Sequence, residues 1–317
     1  MSLLIAATEI AKDDSFKSAL KFFGLGDWIF VVWSLVIFIL GIVALTRGYG
    51  KPGEDYPAVT LHGGWASLWG ACSVVFLFFG TVYIVGGILT VIANSTNLLG
   101  NTLGDRMIPQ FIGQMTGVFV YLAASFTFQG SVQWAPSQVP STGPRKVIDD
   151  IQQSIANFNI KDWLGCFLAV IALSFIAGLI TKAFYGFCSL QGVTLPEEPQ
   201  ALVEEILHWE GPHYKLFFVW LALGVGAPLV EELAFRGTLY PSFKAWMPRG
   251  YAMVLTGMLF AIIHGSPTAL LPLFAFGTFL CIVRDRFGLA TCIALHALFN
   301  SHTFLWLLLA PQASQHL

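Results

Sequence analysis

The sequence predicts an all-α, polytopic membrane protein with about eight transmembrane helices and a polar cavity between the C-terminal ones. Three observations carry this. Of 317 residues, 56% are hydrophobic and only 11% charged, with a mean hydropathy of +0.72. Soluble domains are about 25% charged, so this chain cannot cover a water-facing surface. Apolar windows of spanning length recur along it and run unbroken rather than alternating, which selects helices over barrel strands. Ionisable residues are nearly missing from the spans of the first two thirds and gather in those of the last third.

Residues 1–27 read as a helix lying at the interface, with Lys12, Lys17 and Lys21 on its polar side. They lack a basic n-region and carry acids early, unlike a cleaved signal peptide. Residues 28–195 hold accessory spans, with windows at 28–46, 66–92, 111–128 and 163–181. A polar connection at 129–161 contains the Pro/Ser stretch WAPSQVPSTGP and then a helix-like IDDIQQSIANF. Residues 196–215 form an amphipathic surface segment, with Leu202, Ile206 and Trp209 at helical spacing. Residues 216–309 hold windows at 216–235, 251–265, 268–283 and 289–309. No internal repeat is present.

The net charge of −2 implies no nucleic-acid partner. Cys72, Cys166, Cys188, Cys281 and Cys292 lie in or beside apolar runs without a CxxC. They read as small buried hydrophobes rather than a disulfide framework or a zinc knuckle. The Lys and Arg distribution leans towards a cytoplasmic loop after the fifth span. The expected location is the plasma or inner membrane of the cell, and nothing in the sequence sets an oligomeric state.

Ionisable groups inside spans are costly and mark function by default. Here they are Glu231, Glu232, Arg236, His264, His296 and His302, with Asn300 beside them. Glu232 and Arg236 are four apart, so they share a helix face and can pair. Glu231 is turned about 100° from its neighbour and cannot use that arginine equally. One glutamate is held and the other is left to point elsewhere. His296 and Asn300 again share a face, as do Phe260 and His264. Blander roles exist for several of them: snorkelling for Arg236, an interfacial place for His302, a satisfied core histidine for His264 and interhelical glue for Asn300.

The segments EELAFR (231–236), FAIIH (260–264) and HALFN (296–300) match three motifs in order: EExxxR, FxxxH and HxxxN. The chain thereby resembles the CAAX-type intramembrane endopeptidases and their bacterial relatives, the CPBP or Abi group, over about 216–309. The resemblance implies a glutamate-dependent peptidase whose catalytic cavity opens within the membrane. By position Glu231 looks like the residue that activates water, helped by His264. Glu232 and Arg236 resemble the supporting pair, and His296 and Asn300 the groups that stabilise the oxyanion. The chemistry is coherent: a carboxylate away from water is a better base, and donors on one helix face can meet the charge developing on a scissile carbonyl. The implied partner is a membrane-associated or lipid-modified polypeptide reached laterally from the lipid bilayer, with no cofactor.

Three rivals stand beside this. Glu231, His264 and His296 with a water would make a catalytic zinc site, although HExxH is absent. Intramembrane Glu and His also suit a transporter or proton relay. A scaffold or bacteriocin-immunity protein would keep the fold without cutting. By the helix ruler, Glu231 lies about 22 Å into its span and His296 at nearly that depth, whereas His264 falls roughly 10 Å deeper.

Overall fold

The computed structural model describes residues 61–309 apart from 97, 101, 128–150, 153, 157, 158, 194, 196–200, 210, 245 and 246. The interfacial helix at 1–27, the window at 28–46 and the Pro/Ser stretch of the 129–161 connection lie outside the described residues. All regular structure among the described residues is helical. We label the helices α1 (Leu61–Thr96), α2 (Leu103–Thr127), α3 (Ile160–Leu190), α4 (Ala201–Leu207), α5 (His213–Lys244), α6 (Arg249–Ile262), α7 (Leu270–Phe287) and α8 (Leu289–Leu309). Among the described residues, α3, α5, α8 and the Val75–Thr96 part of α1 are long and apolar enough to cross a membrane. The windows at 111–128, 251–265 and 268–283 form α2, α6 and α7.

Local chemistry sets the ends of these helices. Before α2, the Thr102 N–H and hydroxyl both donate to Asp105 Oδ2, at 3.1 and 2.5 Å. This is a Thr-x-x-Asp variant of the capping box. The Asn159 side chain accepts the Lys161 N–H at 3.0 Å to start α3. Gly288 takes φ 83° between α7 and α8, so one residue reverses the chain. A Cβ there would stand 2.6 Å from that of Ser154. The Ser154 hydroxyl donates to the Phe287 carbonyl at 2.7 Å and accepts the Thr291 N–H at 3.3 Å. A residue from the expected polar connection therefore packs into the α7–α8 corner.

Helix α5 is the centre of the bundle. Of its most apolar window 44% is buried, against 17% for each of the other three spans. It packs on α2 through its first half, on α8 through its middle and on α1 near its end. Helix α3 lies outside α7 and α8. Two crossings are glycine contacts of the kind that let membrane helices approach closely. A Cβ on Gly113 of α2 would come 2.6 Å from the Val82 carbonyl oxygen of α1, and one on Gly277 of α7 would come 3.1 Å from the Gly257 Cα of α6.

Each end of the bundle carries a part-buried ion pair. At one end Lys215 of α5 meets Asp105 at 2.7 Å. There Val203, Ile206 and Leu207 of α4 and Trp209 after it pack with Leu103, Val219 and Leu307, while Leu202 is exposed. Arg106 reaches across to Glu205 at 2.7 Å. At the other end Asp285 of α7 accepts Lys244 at 2.6 Å, Arg249 Nε at 2.7 Å and the Tyr240 hydroxyl. One carboxylate thus ties the end of α5, the start of α6 and the end of α7.

Candidate active site

The stretch Ala227–Ala234 that carries both glutamates is ordinary α-helix. It is bracketed by two widened, π-helical turns, Leu221–Gly226 and Phe235–Leu239. Such bulges recur at functional sites, and the sequence shows why the first one forms. Pro228 has no N–H to give and crowds the preceding turn, so a regular ladder cannot pass through it. The Ala227 N–H instead reaches back five residues, to the Ala222 carbonyl. In the second bulge the Tyr240 N–H goes five back to Phe235. There the Thr238 hydroxyl donates to the Leu233 carbonyl at 3.1 Å and accepts from the Tyr121 hydroxyl at 2.8 Å.

The expected pair is formed. Arg236 Nη1 donates to Glu232 Oε1 at 2.9 Å, and both residues are fully buried. Arg236 does not snorkel. Its Nη2 donates to the Gly277 carbonyl at 2.6 Å, and its guanidinium lies 4.8 Å from the centre of the Phe260 ring. The Gly257–Gly277 crossing is what brings that carbonyl within reach. Sequence reasoning missed Gly277, because a backbone acceptor on a distant helix leaves no motif.

His296 joins the two glutamates. Its Nδ1 lies 2.8 Å from Glu232 Oε1, and its Nε2 lies 3.8 Å from Glu231 Oε2. Glu232 Oε1 accepts from Arg236 and from His296 Nδ1, and Nε2 is the ring atom turned towards Glu231. Phe260 and Phe276 flank the imidazole edge to face, at 5.8 and 5.0 Å. Glu231 itself is 17% exposed, yet its Oε2 is buried without a hydrogen-bond partner. Of two adjacent carboxylates, one is held through Oε1 with its Oε2 buried and unpartnered, and the other is left open.

His264 stands one ring away from this cluster. Its Nδ1 donates to the Phe260 carbonyl at 2.7 Å, its ring lies 4.7 Å from that of Phe260, and Nε2 is left as an acceptor. The extra 10 Å of depth expected for it is not present, because α5 does not stop near residue 235 but runs on to Lys244. Counted from the Asp285 tie, Glu231 and His264 lie about 20 and 22 Å along their helices.

Asn300 is on the same helix face as His296 but has a different partner. Its Nδ2 donates to the Leu223 carbonyl at 2.9 Å, in the first widened turn. His302 lies apart, exposed and edge-on to Phe167 of α3 at 5.8 Å. Cys281 and Cys292 are buried, with their thiols on the Gly277 and Leu280 carbonyls.

Zinc was the alternative use of Glu231, His264 and His296. Among the described residues no three His, Cys, Asp or Glu side chains converge as a metal would require. His264 and His296 each pack against the Phe260 ring, with ring centroids 4.7 and 5.8 Å from it.

Residues 213–302 match the family model described as type II CAAX prenyl endopeptidase Rce1-like. No curated protein and no solved structure matches the chain.

Proposed function

Residues 213–302 belong to the type II CAAX prenyl endopeptidase Rce1-like family, and from that premise we propose that this integral membrane protein is a glutamate-dependent intramembrane endopeptidase. One observation supports the choice of residue above the others. Both glutamates bury an unpartnered Oε2, but Glu232 is held through Oε1 by Arg236 and His296, whereas Glu231 is not held by a hydrogen bond and is partly exposed.

In this reading Glu231 accepts a proton from a water, and the hydroxide adds to the scissile carbonyl. Nε2 of His264 is a second acceptor for that water. His296 takes up a proton at Nε2 from bulk water before the carbonyl is attacked and keeps it through the cycle, so that Nε2–H meets the tetrahedral oxyanion. The positive charge this creates is balanced through Nδ1 by Glu232. Glu231 then delivers its proton to the departing amine, and the peptide bond is cut with no covalent enzyme intermediate. Arg236 stays paired with Glu232 throughout and touches no reacting atom. The reaction needs no cofactor. The substrate class is a membrane-associated or lipid-modified polypeptide that enters from the bilayer. About eight spans and a plasma or inner membrane location belong to the same reading.

The experiment is a comparison of membranes containing the wild-type chain with membranes containing Glu231→Gln. A polypeptide that accumulates uncut with the variant, and is cut by purified wild-type protein, is the expected result. Identical polypeptide profiles, together with proton-coupled uptake by the wild type in liposomes, would install the transporter reading instead.

A further inference from the structure

The second widened turn of α5, Phe235–Leu239, lies between the Asp285 tie and the two glutamates. Beyond it, Tyr240 and Lys244 are fixed on the Asp285 carboxylate. Before it, Glu232 is fixed on His296 at 2.8 Å. Bonds that reach five residues back take up nearly one residue more per turn than the α ladder does. Closing the turn to an α ladder would therefore rotate the glutamates by roughly 100° against the tie. The turn has to be held wide.

One hydroxyl marks the widened state. Thr116, Thr181, Thr256 and Thr303 each donate to the carbonyl four residues back, as a regular turn dictates. Ser242, just past the turn, does the same to Thr238. Thr238 reaches five back instead, to the Leu233 carbonyl at 3.1 Å. That bond belongs to the widened turn, since in an α turn Thr238 would face the Ala234 carbonyl. Its one proton is used there, so its oxygen can only accept. The donor is the Tyr121 hydroxyl of α2, at 2.8 Å. Tyr121 is 4% exposed, and its ring lies 5.0 Å from that of Phe78 of α1, so the hydroxyl is delivered by a ring already packed in place.

We infer that Tyr121 is a positioning residue for the peptidase site: through Thr238 it holds the Phe235–Leu239 turn wide, and so sets the rotation of Glu231 and Glu232 against the Asp285 tie. The inference rests on the peptidase reading for its effect on turnover, though not for its effect on the turn. Tyr121 lies outside the 213–302 segment that matches the family model, so an accessory helix shapes the site. The first widened turn is seated on α2 as well. A Cβ on Gly226 would stand 2.0 Å from Gln114 Oε1, and Gln114 precedes Tyr121 by two turns on the same helix face. Helix α2 thus runs along both irregular turns, with the glutamate pair between them.

The test removes each hydroxyl in turn. Tyr121→Phe keeps the ring on Phe78 and loses only the donor. We expect its kcat to fall about tenfold with KM little changed, and amide hydrogen exchange in the 235–240 segment to quicken more than elsewhere in α5. Thr238→Val should behave likewise, whereas Thr238→Ser should keep most of the wild-type rate and protection. The Tyr121→Phe/Thr238→Val double variant should be no worse than Thr238→Val alone, because the two hydroxyls act in series. Wild-type kcat and exchange in Tyr121→Phe overturn the inference. So does a double variant whose losses multiply, since Tyr121 would then act by a route that bypasses Thr238. Exchange that quickens evenly along α2 and α5 marks a general loss of packing and refutes it too. If Tyr121→Phe does not yield folded protein, the Thr238 variants decide: a loss confined to valine supports the inference, and equal behaviour of valine and serine refutes it. The exchange measurement needs no peptidase activity. Failure of the peptidase reading would therefore appear separately, as the expected exchange pattern in a protein that cuts nothing.

Discussion

His296 stands between two adjacent glutamates and treats them unequally: Nδ1 is 2.8 Å from Glu232 Oε1, and Nε2 is 3.8 Å from Glu231 Oε2. One contact is a hydrogen bond and the other is not. Their difference divides the pair into a held member and an open one, and the two should respond to substitution differently.

Glu231→Gln keeps the side-chain shape and removes only the base. The variant should insert and melt like the wild type, while cleavage falls by more than about a hundredfold, the scale of general-base catalysis. Steady-state turnover on one peptide, beside a melting curve, checks both halves. Near-normal turnover removes Glu231 from the mechanism.

Glu232→Gln acts on stability as well. It leaves the fully buried Arg236 without its counter-charge, a change that costs about 3–5 kcal/mol when a buried pair is broken on one side. Adding Arg236→Met should recover part of the melting temperature but not the activity. Equal melting of wild type and Glu232→Gln argues against the pairing.

At the start of α2 the Asp105–Lys215 pair predicts an acid-sensitive stability. Burial pushes the Asp105 carboxyl up, but the hydrogen bonds from Lys215 and Thr102 outweigh it and hold the group below its ordinary value of 3.8. A carboxylate depressed in the folded state stabilises fully above its unfolded value, and that contribution disappears as pH falls through the folded one. The wild type should therefore melt higher than Asp105→Asn at neutral pH, and the two curves should converge below pH 3.8. A gap that persists unchanged in acid contradicts the linkage.

Gly257→Val tests the crossing that delivers the Gly277 carbonyl to Arg236. Even a Cβ at Gly257 would meet the Thr278 backbone nitrogen at 2.9 Å and the Phe274 carbonyl at 3.1 Å, so α6 and α7 must part. We expect lost stability and turnover reduced by at least about tenfold, since a displacement near 1 Å is costly at an active site. Wild-type kinetics in this variant would show that the crossing does not matter to the site.

Dialysis of purified protein against a strong chelator should leave the activity intact. Stoichiometric zinc whose removal and return switches cleavage off and on would overturn the metal-free scheme.

Spacing made the local pairings legible and left the distant ones hidden. Glu232 with Arg236 follows from their separation, because an α-helix brings residues four apart together whatever surrounds it. The spacing of His296 and Asn300 was equally readable, but a shared face does not mean a shared target: one side chain goes to Glu232 and the other to the Leu223 carbonyl. Pro228 signals the widened turn that carries this carbonyl. It does not signal which neighbouring helix offers a donor, and no local rule supplies that. The depth of His264 was misjudged because Tyr240-Pro-Ser-Phe-Lys244 reads as the end of a span. Asp285, which lets those polar residues continue the helix inside the bundle, is on another segment.

The Asp285 tie also turns the bundle into a calliper. Tyr240, Lys244 and Arg249 close on one carboxylate, so the distance from that polar end to Glu231 is set by helix length, about 20 Å. Each residue inserted into α5 between Glu231 and Lys244 would therefore move the glutamate along the bundle by about 1.5 Å and turn it by about 100°.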